Sequence, residues 1–385
     1  MRLKFTAGIA LVAMMTFAVG CGDDDDPDND NQAPINQGSD AGGTDTDNNG
    51  GPANTNQIDR PGHHNNVEGL AWDGEYLYTG SDDTTVRKID PGSEPERVWT
   101  YEGHADSVRV LAVDDEGYLY SGSQDTELHK IDPAGDSPDV IWTFDAPGGV
   151  SALTFDDDGI LFVSAGASLL KIDPTGSTPE ELWDEPYIGM GLQSANSLVV
   201  GPEGYLYAGE GSGVDGGGEL HKIDPDGDEP EQIWALEDDE EEWGIYRVRA
   251  LVIDDDGYLY AGSDDSRDLT GDDSDERVIH KIDPSGEEPE QIWAFEDQPG
   301  NVTSLALDGD GNLIGGSHGT SMEGGYVYEL AIDDEPTTNW TYTGHEYWVQ
   351  EVLVTDDGDV YGSDYVGAVH RLQRSGGDVE HIWTY

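Results

Sequence analysis

The stretch "VRVLAVDDEGYLYSGSQDTELHKIDPAGDSPDVIWTF" (108–144) decides the fold. Short apolar segments rich in Val, Leu, Tyr, Ile and Trp are separated by turns at Glu116-Gly117, Gln124-Asp125 and Ala134-Gly135. "YLYSGS" and "LHKID" alternate with period two, the mark of half-buried strands. No helix can run through this stretch, because Asp-Gly and Asp-Pro pairs interrupt the chain at intervals of about ten residues. It predicts four β-strands, lettered A to D.

The pattern recurs with starts at Val67, Val108, Val150, Ala195, Val248, Val302 and Val349. Each unit brings one tryptophan at a matching place on strand D: Trp99, Trp142, Trp183, Trp234, Trp293, Trp340 and Trp383. A unit this small cannot bury its faces alone, so like units stack on one another. Four short strands in roughly 40–50 residues make the blade of a β-propeller. The expectation is an all-β fold over 62–385: a seven-bladed β-propeller of four-stranded antiparallel blades, preceded by a targeting signal and a disordered acidic linker. The seven tryptophans are expected to pack between blades rather than to bind a ligand. Each unit starts on an inner strand and ends on an outer one. Closure is therefore expected from blade seven packing on blade one, without a shared blade, the alternative being an edge strand added by part of 53–60.

"TGSDDTTVRKID" (79–90) resembles the WD40 repeat, with its Gly-Ser-x-Asp turn leading into a Trp-Asp strand end. Gly62-His63, Gly103-His104 and Gly344-His345 each precede a strand-A valine by four residues, as that family's Gly-His does. Ile89, Ile131, Ile172, Ile223 and Ile282 stand where WD40 repeats carry tryptophan. "LYAGSDD…HKIDPSG…IWAF" (259–295) is similar to the quinoprotein-type (PQQ-like) repeat. That family includes eight-bladed lipoprotein scaffolds of the outer-membrane assembly machinery, whereas seven units are counted here. The WD40 resemblance implies that His63, His104 and His345 hydrogen-bond a turn Asp or Ser of their own repeat. Asp83 and Ser81, then Asp125 and Ser123, are the matching positions in the first two.

At the N-terminus, Arg2 and Lys4 precede an apolar run from Thr6 to Val19, ending in Ala18-Val19-Gly20-Cys21. This is a targeting segment, and it resembles a bacterial lipoprotein signal with its lipobox. The resemblance implies a signal peptide over 1–20, cleavage before Cys21 and lipidation of Cys21; an ordinary secretory signal with an incidental cysteine is the alternative. Cys21 is the only cysteine, so the mature domain has no disulfide, thiol nucleophile or cysteine metal site. Residues 21–61 continue as an Asp/Asn/Gly-rich tether with almost no large apolar side chain, too poor in burial to offset chain entropy. Gly22 rather than Asp follows the cysteine. By resemblance to proteobacterial sorting rules, this places the protein at the outer membrane of a bacterial envelope, periplasmic or surface-exposed.

Acidic residues number 83 against 17 basic, a formal net charge of −66. Such a polyanion excludes nucleic-acid partners and leaves the lipid anchor as the only membrane contact. Cations, basic proteins and neutral glycans remain as partners, beside the reading of a solvated acidic surface suited to high salt.

Asp-rich turns recur at 114–117, 156–159, 254–257, 308–312 and 356–359. In "DGDGN" (308–312), Asp308, Asp310 and Asn312 have the oxygen spacing of the first half of a calcium loop. The twelfth position is Gly319 rather than glutamate, and the other reading is a hairpin turn required once per blade. No other cofactor is expected. His129, His221, His280 and His370 repeat at one place on strand C, which argues for structure, since catalysis needs a group once. No Ser-His-Asp order, nucleophile elbow or phosphate loop is present. The strand-A residues facing the central channel read as small or apolar. This weighs against the rival class, a propeller enzyme of lactonase or lyase type with a metal in that channel.

With alternating strand direction, A–B and C–D turns share one face and B–C and D–A loops the other. The second face carries the length variation (184–194, 211–218, 237–247, 264–277 and 317–325) and brings Tyr187, Glu241, Trp243, Tyr246 and Asp272 together, with Tyr347 and Trp348 on the last D–A loop. Variable loops on a rigid scaffold are where binding resides. Aromatics among acids suit a basic protein surface or a glycan, unless they pack under their own loops. The expectation is a monomeric, non-catalytic binding or scaffold propeller contacting an envelope or extracellular protein.

Overall fold

A computed structural model describes residues 62–183, 195–211, 219–227, 229–236, 247–263, 278–286, 288–319, 324–333, 335–375 and 378–385. Blade one consists of β1 (Val67–Trp72), β2 (Leu77–Ser81), β3 (Val86–Asp90) and β4 (Glu96–Tyr101), paired antiparallel in that order. Six more four-stranded sheets follow: β5–β8 (108–145), β9–β12 (150–181), β13–β16 (195–236), β17–β20 (248–295), β21–β24 (301–342) and β25–β28 (349–384). Each inner strand touches the next, and β25 touches β1, which closes a ring of seven blades. The strand starts match the sequence reading except in blade six, where β21 begins at Asn301. In blade three the outer strand β12 shrinks to Glu180–Glu181, so Trp183 lies just past it rather than on it.

Each apolar core lies between neighbouring blades. Tyr78, Val86 and Trp99 of blade one pack with Val108, Leu111 and Leu119 of blade two. Tyr361, Val369 and Trp383 of blade seven pack with Val67, Leu70 and Ile89 of blade one. Each fully buried side chain of this size contributes about 1.5–3 kcal/mol.

A polar joint fastens the outer ends. Trp99 Nε1 and Lys88 Nζ both donate to the Pro133 carbonyl of the next blade, at 3.4 and 3.0 Å. Trp142 and Lys130 do the same to Pro174, and Trp183 and Lys171 to Pro225. The Asp-Pro turn explains the choice of acceptor. Proline brings no N–H and ends the strand ladder, so its carbonyl stays available to a neighbour. Arg371 Nη1 donates to Pro91 O at 2.7 Å and Trp383 Nε1 to Gly92 O at 3.1 Å, so blade seven closes on blade one through the same kind of joint.

The joint between blades six and seven differs. Glu329 stands opposite Trp340, where Lys130 stands opposite Trp142, and Arg374 takes the place of proline. Trp340 Nε1 donates to Glu329 Oε2 at 2.9 Å, and Arg374 Nη1 donates to the same oxygen at 3.1 Å. A cavity of about 400 Å³ opens beside them, lined by Asp310, Asn312, Glu329, Trp340, Asp357 and Arg374.

The inner strands correct one expectation. In each blade a β-bulge lies near the start of strand A, next to Glu68, Arg109, Ser151, Asn196, Arg249, Thr303 and Gln350 in order. An inserted residue breaks the alternation on which the apolar reading rested. These side chains reach round the axis. Arg109 Nε lies 2.9 Å from Glu68 Oε2, Ser151 Oγ donates to Ala195 O, Thr303 Oγ1 to Val349 O, and Gln350 Nε2 to Asn66 Oδ1. Burial pushes the Glu68 carboxyl up to about 8 despite Arg109. Buried Glu351 is raised well above the carboxylate range and accepts from Leu70 N. The wall of the channel is polar at this level, and Glu68, Arg109, Ser151, Thr303 and Gln350 tie neighbouring blades together there.

Candidate functional site

The loop face of blades six and seven exposes an aromatic cluster. Trp348 precedes β25 (Val349–Val354), His318 ends β22 (Leu313–His318), and Tyr365 follows β26 (Asp359–Asp364). Trp348 is 38% exposed and stacks on His318 with centroids 4.6 Å apart and planes 20° apart. Tyr365, 49% exposed, lies tilted at 5.8 Å on Trp348. Tyr347 and Val366 are exposed beside them. Backbone bonds hold the segments in place: Tyr365 N donates to Trp348 O at 3.1 Å and Gly325 N to Tyr347 O at 2.7 Å. The hairpin turns at Gly367 (φ +89°), where a Cβ would come within 2.6 Å of the Asn65 and His63 carbonyls of blade one. Only glycine fits there.

Of the residues the sequence singles out, Tyr347 and Trp348 belong to this cluster. Cys21, Tyr187, Glu241, Trp243, Tyr246 and Asp272 lie outside the described residues. Sequence reasoning missed His318, Tyr365 and Val366. A signal was present, since Tyr365-Val366 occupies the hairpin tip that is Asp82-Asp83 in blade one.

The calcium candidates sit at the opposite face. Asp308 Oδ1 accepts from the backbone N–H groups of Asp310 (2.9 Å) and Asn312 (2.7 Å). Its Oδ2 accepts from Asn312 Nδ2 and from Arg374 Nη1. Both oxygens are thus engaged by N–H donors, with a guanidinium supplying the positive charge, while Asp310 is 81% exposed. Asp114 shows the same turn geometry, accepting from Glu116 N and Tyr118 N on one oxygen and from Tyr120 Oη on the other. Gly311 and Gly117 provide the positive φ that each such turn needs.

The tryptophans of the repeat are buried, except that Trp293 is only half-buried. Blade six has Ile332, and blade seven Arg374, where the other blades have the Asp-Pro proline.

Two histidines of the D–A loops, His63 and His104, form buried networks. His63 Nδ1 lies 2.9 Å from Asp83 and Nε2 2.7 Å from Thr79 Oγ1. His104 pairs with Asp125 (3.2 Å) and Ser121 Oγ (2.8 Å). The aspartates are those expected, but the hydroxyls lie two residues earlier than Ser81 and Ser123, because the imidazole reaches further into the blade. Ser81 and Ser123 instead donate to Asn65 O and Asp106 O. Burial pushes His104 down to about 4, helped by neighbouring His129. The strand-C histidines are partnered too: His129 by Tyr101 Oη and Glu127, His221 by Glu219 and Gln232, His280 by Gln291. Three groups bring ligand atoms within 4.8 Å of one another: His104, Glu127 and His129; Glu210, Glu219 and His221; His345, Asp364 and His370. Among the described residues no such group lies on an inner strand.

Comparison with known proteins agrees with this architecture. The WD domain, G-beta repeat profile matches residues 55–90. Among solved structures, the chain is similar to the WD40 β-propeller domain of Doa1, with a TM-score of 0.61 and 17% identity over 82% of this chain and 95% of that one. That likeness speaks for the fold alone. No curated protein sequence matches. The profile described as outer membrane protein assembly factor BamB matches residues 82–350, which is most of the chain. The chain belongs to the family described as outer membrane protein assembly factor BamB.

Proposed function

We propose that the protein is a non-catalytic binding propeller of the bacterial envelope, held by a lipid on Cys21 and presenting its loop face to a protein partner. The exposed cluster of Trp348, Tyr365 and Tyr347 carries this reading. Large aromatics left in water on a rigid frame are what an interface uses as anchors. Membership of the family described as outer membrane protein assembly factor BamB supports the setting. The net charge of −66 favours a basic partner surface, with cation–π contact to the aromatics. No cofactor is needed for this role.

The test is crosslinking and capture from envelope fractions, comparing the native chain with a Trp348→Ala/Tyr365→Ala double variant. Partners lost in the variant support the reading; an unchanged partner set rejects this face. Anchoring is tested separately by Cys21→Ser, which should move the protein from the membrane to the soluble fraction.

A further inference from the structure

We propose that blade seven holds a divalent transition-metal ion, with zinc the natural occupant, on His345, Asp364 and His370. Three blades bring a D–A loop histidine against the end of strand B, and two satisfy it without an ion. His63 and His104 each use one ring nitrogen on an aspartate and the other on a hydroxyl, Thr79 or Ser121. In blade seven Gly362 takes the hydroxyl's place and exposed Val366 the aspartate's, while the acid moves to Asp364 at the position of Ser81. His345 is left buried, and among the described residues neither of its ring nitrogens has a hydrogen-bond partner. A buried polar group without a partner is rare enough to require an explanation.

The distances fit an ion better than a proton. Asp364 Oδ2 lies 3.6 Å from His345 Nδ1 and 3.8 Å from His370 Nε2, too long for hydrogen bonds. Ligands on one tetrahedral zinc, with bonds of about 2.0–2.1 Å, sit about 3.3–3.5 Å apart. A contraction of a few tenths of an ångström brings Asp364 to that spacing from either histidine, and all three ligand atoms already lie within 4.8 Å of one another.

Supporting contacts orient the ligands as metal sites require. Asp364 Oδ1 is fixed by the N–H groups of Val366 (3.1 Å) and Ala368 (2.9 Å), leaving Oδ2 to face the histidines. His370 Nδ1 lies 3.1 Å from Tyr342 Oη, which leaves Nε2 for the ion. Two imidazoles and one carboxylate suit zinc, with water in the fourth place. His345 lies three residues before Trp348, and Asp364 directly precedes Tyr365, so the ion pins both segments of the aromatic cluster.

The test is titration of the chelator-treated full chain with cobalt(II), read by visible absorption. The expected result is one equivalent bound with the intense bands of a tetrahedral site, and competition by zinc. His370→Gln and Asp364→Asn should each weaken binding at least tenfold. His129→Gln, in the satisfied cluster of blade two, should leave it unchanged. Far-ultraviolet circular dichroism confirms that each variant is folded. Should His370→Gln unfold, Asp364→Asn carries the test, with zinc raising the melting temperature of the native chain and not of the variant. Absence of tetrahedral bands, or equal binding by native chain and both ligand variants, overturns the proposal.

Discussion

The joint between blades two and three and the joint between blades six and seven fasten the same indole with opposite chemistry. At the first, Lys130 and Trp142 share a neutral carbonyl, that of Pro174. At the second, Trp340 donates to Glu329, a carboxylate that Arg374 neutralises from the next blade. A repeat can thus keep its geometry while exchanging a backbone acceptor for an ion pair. The ion-pair joint depends on both partners being present, because either alone is a charge with little water around it.

Removing the indole itself has the largest expected effect. Trp142→Ala should cost about 3–5 kcal/mol in denaturant unfolding, as a core truncation. Trp293→Ala, at a half-buried site, should cost about half as much on the same scale; equal losses would mean that the difference in burial does not count. Next come the cations. Arg374→Ala leaves Glu329 and Asp308, both little exposed, without their counter-charge, and should cost about 3 kcal/mol. Lys130→Met leaves the Pro174 carbonyl still bound to Trp142 and should cost about 1 kcal/mol. A larger loss at Lys130 would reverse the ranking.

The comparison extends to the histidines of blades two and seven. Burial pushes both His104 and His345 down to about 4, and His280 likewise. The unfolded chain takes up protons near pH 6.5 that the folded chain refuses until about pH 4. Stability therefore falls as pH drops through that window, by up to about 1.4 kcal/mol per pH unit for each such histidine. Melting curves between pH 7 and 4 should flatten by one proton equivalent in His280→Gln, and no change in slope would contradict the burial argument. The smallest effect belongs to the surface: Trp348→Ala should shift stability by less than about 0.5 kcal/mol. A large loss there would recast the exposed cluster as packing.

Most of the fold was legible because propeller signals are local and repeated. "VDDEG", "KIDP" and "VIW" each encode one turn or strand end, and seven variants of the unit, five of them with KIDP, fix blade count and strand order. The polar belt was not legible. A bulge after Val67 or Val108 leaves no mark in composition, and strict alternation sends Glu68 and Arg109 to the wrong place. Glu329 and Arg374 are 45 residues apart and belong to no motif, so their pairing appears only when blades meet. Of the exposed aromatic cluster, Tyr347 and Trp348 were legible as departures from the repeat, whereas His318 joins them only through the stacking of adjacent blades.

Closure without a shared blade has a consequence for rearranged genes. Gly62 abuts the carbonyl of Tyr385, and every sheet is one uninterrupted run of chain. Joining these two points and reopening the chain at the D–A loop between blades two and three would leave all seven sheets intact. Circular permutants cut at such loops should fold to the same ring, whereas a cut inside any blade would strand half a sheet.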